Sequence, residues 1–254
     1  MRALITNDDG ITSPGLAVLA AVAREAGYDV TVAAPARESS GAGASLISAE
    51  RDGRLIFTET SPPGLPDDVP SFAVKATPAY ITFVAAHDGF GPRPDLVLSG
   101  INRGANTGNA ILHSGTVGAA LSAMTHGIRG VAVSLDSPDP VHWETAAAVT
   151  ARAVEWVGTL PAVSPGWVPG VLNINVPDCE LGDLRGLRRA TLATFGRVQG
   201  TMYRLDEGKV KLQYEAVESA ETPGTDAALL RAGWATATLL RAPCFDPDLA
   251  MPEF

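Results

Sequence analysis

"ITNDDGITSPG", residues 5–15, runs from an apolar stretch through two adjacent carboxylates into the start of a helix. The residues "ALIT" (3–6) read as a short buried strand. Ser13 is placed to cap a helix with Pro14 at its first position; Leu16, Leu19, Ala20 and Ala23 then recur on one face, and Gly27 ends it. Strand, polar loop and amphipathic helix make the first half of a βαβ unit, and this reading decides the fold class.

Working outward, the unit recurs. "VTVAAP" (30–35) and "SFAV" (71–74) read as strands, the first followed by the small-residue loop "ARESSGAGAS" and the second, after a Pro-rich connection near 61–70, by the helix "PAYITFVAAH". "DLVLSG" (95–100) is a buried strand, followed by a Gly- and Asn-rich loop and a helix, "GTVGAALSAMTHG", that ends at Gly127. "GVAVSL" precedes a helix on which Val149, Ala153, Trp156, Val157 and Leu160 recur every three to four residues, and "VLNINVP" closes the series. The expectation is an α/β, Rossmann-like, mostly parallel sheet with helices on both faces. It forms a single domain over 1–254 with its core at about 1–177. Beyond Pro177 the alternation fails. Residues 191–218 read as an antiparallel hairpin excursion, and "WATATLL" (234–240) as a returning strand, so that the excursion occupies about 190–242.

Of the 254 residues, 46% are hydrophobic and 19% charged, as in a folded globular chain. The net charge of −9 disfavours a nucleic-acid surface, which needs many Lys and Arg. An anionic substrate must then be met locally, by a cation or by backbone N–H groups. Cys179 and Cys244 make neither a disulfide framework nor a paired zinc motif. No long apolar segment suggests export or membrane insertion, so a cytoplasmic location is expected.

Ligands of an open parallel sheet bind beyond the carboxyl ends of its strands. Three such ends carry small or oxygen-bearing residues: "NDDG", "ARESSGAG" and "SGINRGANTG". Successive strand residues point to opposite faces, so Asp8 and Asp9 share a ligand only if the chain turns, which Gly10 permits. A hard divalent cation relieves the repulsion of adjacent carboxylates, and an all-oxygen shell favours Mg²⁺ or Mn²⁺ over zinc. Taken alone, "NDDG" is most often a solvated turn or a helix-capping segment; its place at a strand end, with two other polar loops at equivalent ends, brings the metal reading level with that one.

The segments "NDDGITSPGL", "APARESSGAGASL", "PDLVLSGINRGANTG", "HSGTVGAA", "NINVP" and "PGTD" occur in the order and spacing of the SurE survival-protein family, which the chain resembles over nearly its whole length. The resemblance implies a metal-dependent phosphatase acting on nucleoside 5′- and also 3′-monophosphates, with one Mg²⁺ or Mn²⁺ per subunit. By the motif match its ligands are Asp8, Asp9, Ser40 and Asn102, with Ser39 the alternative to Ser40. Asn106, Ser114, Gly115 and Thr116 match the phosphate side, in agreement with the anion preference of a helix N-terminus at "SGT". The implied reaction is hydrolysis by a water that Asp8 orients or deprotonates, an aspartyl-phosphate route being the competitor. His113 is a candidate proton donor to the leaving oxygen or a packing residue; His87, His126 and His142 are expected to be solvated. By resemblance the chain forms a homodimer or a tetramer.

The chain departs from the family pattern at Ala36, Ala76 and Tyr80, where an acid, Gly and Asp are usual. These changes leave the ligands intact and bear on the region receiving the nucleoside. The chain ends at Phe254 after "APCFDPDLAMPEF", where relatives often continue into an arm that crosses to a partner, which leaves arm exchange open. Two other functions fit the same residues: a phosphatase for a non-nucleotide phosphoester, and a nucleotide-binding module without catalysis.

Overall fold

The computed structural model describes residues 1–160, 170–194, 198–204, 210–216 and 222–241. The expected "DEG" turn of the hairpin and the "APCFDPDLAMPEF" tail from residue 242 onward lie outside the described residues. In chain order the strands are β1 (Arg2–Thr6), β2 (Asp29–Pro35), β3 (Glu50–Arg51), β4 (Arg54–Leu55), β5 (Phe57–Glu59), β6 (Ser71–Val74), β7 (Leu96–Arg103), β8 (Arg129–Asp136), β9 (Val171–Pro177), β10 (Leu187–Arg189), β11 (Val198–Arg204), β12 (Val210–Ala216) and β13 (Ala235–Leu240). The helices are α1 (Pro14–Glu25), α2 (Pro78–Ala86), α3 (Gly115–Thr125), α4 (Trp143–Thr159) and α5 (Asp226–Arg231), with a 3₁₀ turn at Gly108–His113.

Nine strands form one sheet in the order β10-β13-β9-β8-β7-β1-β2-β6-β5. Pairing is parallel from β9 through β6, while β13 runs antiparallel to β9 and β5 antiparallel to β6. The central strands are apolar on both sides because both faces are covered. Ala3 and Ile5 of β1, Leu96 and Leu98 of β7, and Val131 and Val133 of β8 pack with Leu16, Leu19, Val149 and Val154 of α1 and α4. Their alternates Leu4 and Val97 join Ile81 and Ala85 of α2 and Ala123 of α3 on the other face. This two-sided burial is what the near-continuous apolar runs require.

Strand order also places the site. From β1 the chain moves one way to β2 and β6, then crosses back to lay β7 on the other side of β1. The crevice beyond β1 and β7 is therefore the topological switch point. The C-terminal hairpin is present as β11 and β12, paired antiparallel from Val198↔Ala216 to Arg204↔Val210.

Several local expectations change. Ser13 occupies the N-cap of α1, but its hydroxyl makes no capping bond, so Pro14 and the packed face carry that helix start. The strand expected at 95–100 continues to Arg103 after a register slip between Ser99 and Asn102, which puts Asn102 on a strand beside Ser134. Between "ARESSGAGAS" and the Pro-rich connection, where the sequence reading names no element, the chain forms β3, β4 and β5. Two histidines expected to be solvated are engaged. His126 is half-buried, its ring T-shaped against Phe83 and His87, and His142 Nδ1 lies 3.0 Å from Asp178.

Candidate active site

The turn after β1 is built by Asn7. Its Nδ2 donates to the Gly10 carbonyl at 3.0 Å and its Oδ1 accepts from the Gly10 N–H at 3.1 Å, closing a ring around the two acids. Gly10 has φ +100°, a left-handed conformation that side-chain-bearing residues rarely adopt. The turn sends the carboxylates to different neighbours. Asp8 accepts from both the N–H and the hydroxyl of Thr116 at the start of α3, whereas Asp9 accepts from the backbone N–H and Nε of Arg103, each at 3.2 Å. Gly115 makes the first contact possible: a Cβ there would stand 2.8 Å from the Asp8 Cβ and 2.9 Å from Oδ2.

Both acids are strongly desolvated, Asp8 being 4% exposed. Burial pushes the Asp8 carboxyl above its ordinary value; the Thr116 bonds pull it down, and the charge of Asp9 raises it further. Asp9 is likewise raised by burial, opposed by Arg103 and reinforced by Glu38. Two adjacent carboxylates that resist ionisation form a site in which a cation gains more than it would in water.

The remaining oxygens come from two loops. Asn102 donates Nδ2 to the carbonyls of Gly104 (2.7 Å) and Arg103 (3.3 Å), leaving Oδ1 as its uncommitted acceptor. Ser39 donates its N–H to the Asp8 carbonyl at 2.8 Å, and its hydroxyl is buried without a hydrogen-bond partner. The Ser40 hydroxyl is exposed and donates to Glu38 at 2.8 Å. No group of three or more His, Cys, Asp or Glu suited to a metal occurs among the described residues. A cation here would therefore take two carboxylates plus Asn and Ser oxygens. The desolvated acid pair, the free Asn102 Oδ1 and the orphaned Ser39 hydroxyl fit a hard divalent ion.

On the far side, Ser114 caps α3 by accepting the Val117 N–H at 3.1 Å. With Thr116 N–H and Val117 N–H both engaged, the Gly115 N–H is the unengaged donor of this first turn. Thr116, matched by its motif to the phosphate side, directs its donors at Asp8 instead. Asn106 is held firmly: its N–H donates to Asn175 Oδ1 (2.7 Å), its carbonyl accepts from Asn173 and Asn175 (2.9 Å each), and its Nδ2 donates to Ser134 (2.8 Å). His113 is exposed at the end of the 3₁₀ turn. That turn begins at Gly108, whose N–H donates to the fully buried Asp226 at 2.9 Å. Asn7, Arg103, Asn173, Asn175 and Asp226 thus shape the site without having been singled out individually. Asn173, Asn175 and Asp226 were legible only as members of "NINVP" and "PGTD"; for Arg103 the sequence carries no signal beyond its place beside Asn102.

Residues 3–199 match the family described as Survival protein SurE. The chain is 37% identical over 240 residues to the 5′-nucleotidase SurE of Stenotrophomonas maltophilia (strain R551-3), covering 92% of this chain and 86% of that one. It is 33% identical over 245 residues to the 5′/3′-nucleotidase SurE of Photorhabdus laumondii subsp. laumondii, covering 95% and 90%. Among solved structures, the SurE protein from Aquifex aeolicus superposes with a TM-score of 0.76 at 29% identity, over 95% of this chain and 93% of that one.

Proposed function

Because the chain belongs to the SurE survival-protein family, we propose that it hydrolyses nucleoside monophosphates to nucleoside and phosphate at the Asp8–Asp9 turn. It is a phosphoric monoester hydrolase of the 5′-nucleotidase class. The observation that carries the site assignment is the buried, mutually repelling acid pair, placed at the switch point against the N-terminus of α3.

Asp8, Asp9, Asn102 and a serine hydroxyl, that of Ser40 by motif or of Ser39 by its orphaned position, hold one divalent cation. When bound, that cation supplies a positive charge that draws the phosphate in and stabilises charge developing on its oxygens. The protein's own groups do the remainder. The Gly115 N–H and the Ser114 hydroxyl at the positive end of α3 receive phosphate oxygens, and Asn106, fixed by four hydrogen bonds to Ser134, Asn173 and Asn175, borders the same space. Asp8, immobilised by Thr116, orients the attacking water and is the local base for its proton. Arg103 donates to Asp9 and opposes the upward push that burial gives its carboxyl. Mg²⁺ or Mn²⁺ suits the donor set.

Phosphate release from nucleoside 5′- and 3′-monophosphates, sugar phosphates and an aryl phosphate tests the assignment. Nucleotides should be preferred over sugar phosphates by kcat/KM. Equal turnover of all would move the reading to a general phosphoesterase, and tight nucleotide binding without phosphate release would move it to a non-catalytic module.

A further inference from the structure

Past the ends of β2 and β6, Pro35, Ala36, Arg37, Val74, Lys75 and Ala76 line a cavity of about 370 Å³. Pro35 pairs with Val74, and the Ala36 N–H donates to the Val74 carbonyl at 2.7 Å, so these walls begin where a strand pair ends. Four of the lining residues are small or apolar and the other two are cations. Arg37 and Lys75 are exposed, and neither side chain forms an ion pair or hydrogen bond among the described residues. No carboxylate lines the cavity, and the neighbouring Glu38 is turned to Ser40. In a chain with 28 acidic and 19 basic residues, a wall with two cations and no acid selects for an anion.

The cavity adjoins the Asp8–Asp9 turn. The backbone of Arg37 and Glu38 lies 3.3 Å from where a Cβ on Gly10 would stand, and the Ser39 N–H binds the Asp8 carbonyl. Because β1, β2 and β6 are consecutive in the sheet, Arg37 springs from one strand spacing away from the acid pair and Lys75 from two, about 5 and 10 Å. That separation suits a ribose with a phosphate at each end. Ala36 stands where the family usually carries an acid, so no carboxylate sits between the cations to repel an anion. A larger cavity at the opposite pole, lined by Arg2, Arg93 and Arg129, is less suited to an anion. There Arg93 and Arg129 donate to the helix-terminal carbonyls of His126 and Leu160, and Asp95 stands in the wall.

We propose that Arg37 and Lys75 bind a second phosphate of the substrate, so that a nucleoside 3′,5′-bisphosphate lies with its scissile phosphate at Asp8–Asp9 and its other phosphate between the two cations. The guanidinium offers paired donors to two phosphate oxygens and the ammonium adds a point charge. The inference rests on the nucleotidase reading above.

The test compares adenosine 3′,5′-bisphosphate with adenosine 5′-monophosphate as substrates of the wild-type chain, R37A/K75A and R37K/K75R. The ratio of kcat/KM for bisphosphate over monophosphate should fall about tenfold or more in R37A/K75A, mainly through KM, and recover in R37K/K75R. An unchanged ratio overturns the subsite and leaves the nucleotidase reading standing. Calorimetric titration of the bisphosphate, with chelator present, reads the subsite without turnover. Weaker binding by R37A/K75A upholds it even if the wild type releases no phosphate, an outcome that would sink only the nucleotidase reading; equal binding overturns it.

Discussion

Asp8 and Asp226 both reach the segment 108–116 from distant parts of the chain, and both are almost wholly enclosed, yet they are satisfied in opposite ways. Asp226 accepts three backbone N–H groups, from Gly108, Ala193 and Ala227, at 2.8–2.9 Å. Its charge is met by donors that would otherwise be orphaned, and it works as a staple between the 3₁₀ turn, residue 193 and α5. Asp8 takes two donors from one residue, Thr116, and has a second carboxylate as its chain neighbour. A saturated acid stabilises a fold, whereas an acid pair left short of positive charge marks a place for something the chain does not itself supply.

The contrast breaks most visibly at the pair. Asp8→Asn and Asp9→Asn should each lower phosphate release by about a thousandfold, roughly 4 kcal/mol of transition-state stabilisation, while thermal unfolding shows an intact fold. Comparable turnover in both variants would mean the acids are structural. In the other direction, Asp226→Ala should cost about 3 kcal/mol of unfolding free energy in a urea titration, because three buried N–H groups lose their acceptor. Gly115→Ala lies between the two classes. Its Cβ would crowd Asp8 at 2.8 Å, so a stability loss of about 1–2 kcal/mol should accompany a disproportionately large fall in kcat.

Acid titration sharpens the same comparison with a smaller effect. The carboxyl of Asp178 would be raised by its burial, but the N–H groups of His142 and Val141 and the side chains of His142 and Ser137 outweigh that and hold it below the usual range. Its contribution is present above the unfolded carboxylate value near 3.8 and is lost as pH falls through its lower folded value. Asp178→Ala should cost about 1 kcal/mol at neutral pH, as an acceptor lost near the start of α4, and nothing at the acid end. Asp8 and Asp9 behave oppositely. Their folded values are raised, so in metal-free protein their contribution is full below about 3.8 and is lost as pH rises through the folded values. The Asn variants should escape that loss, and unfolding midpoints across pH in chelator would show it.

The parts of this molecule visible in the sequence are those that repeat or punctuate. Two-sided burial of β1, β7 and β8 makes them continuous apolar runs, and Pro14, Gly27 and Gly127 bracket helices where expected. The acids were legible because like charges beside a core need a reason. Arg103 was not, since its link to Asp9 depends on the slip in β7 that carries the strand past Asn102. Thr116 belonged to an anion-binding motif by sequence, and only the approach of α3 to β1 reveals that its donors hold Asp8. The clamp on Asn106 by Asn173 and Asn175 arises from β9 lying two strands from β7, a long-range pairing that local pattern does not encode.

The central claim, that two neighbouring carboxylates exist here to hold one cation, is tested most directly by counting bound metal. Equilibrium dialysis of Mn²⁺ against wild-type protein and Asp9→Asn should give one ion per chain in the former and a loss of that site in the latter, with Asp226→Asn still binding. Equal Mn²⁺ binding by wild type and Asp9→Asn, or none by either, would contradict the account.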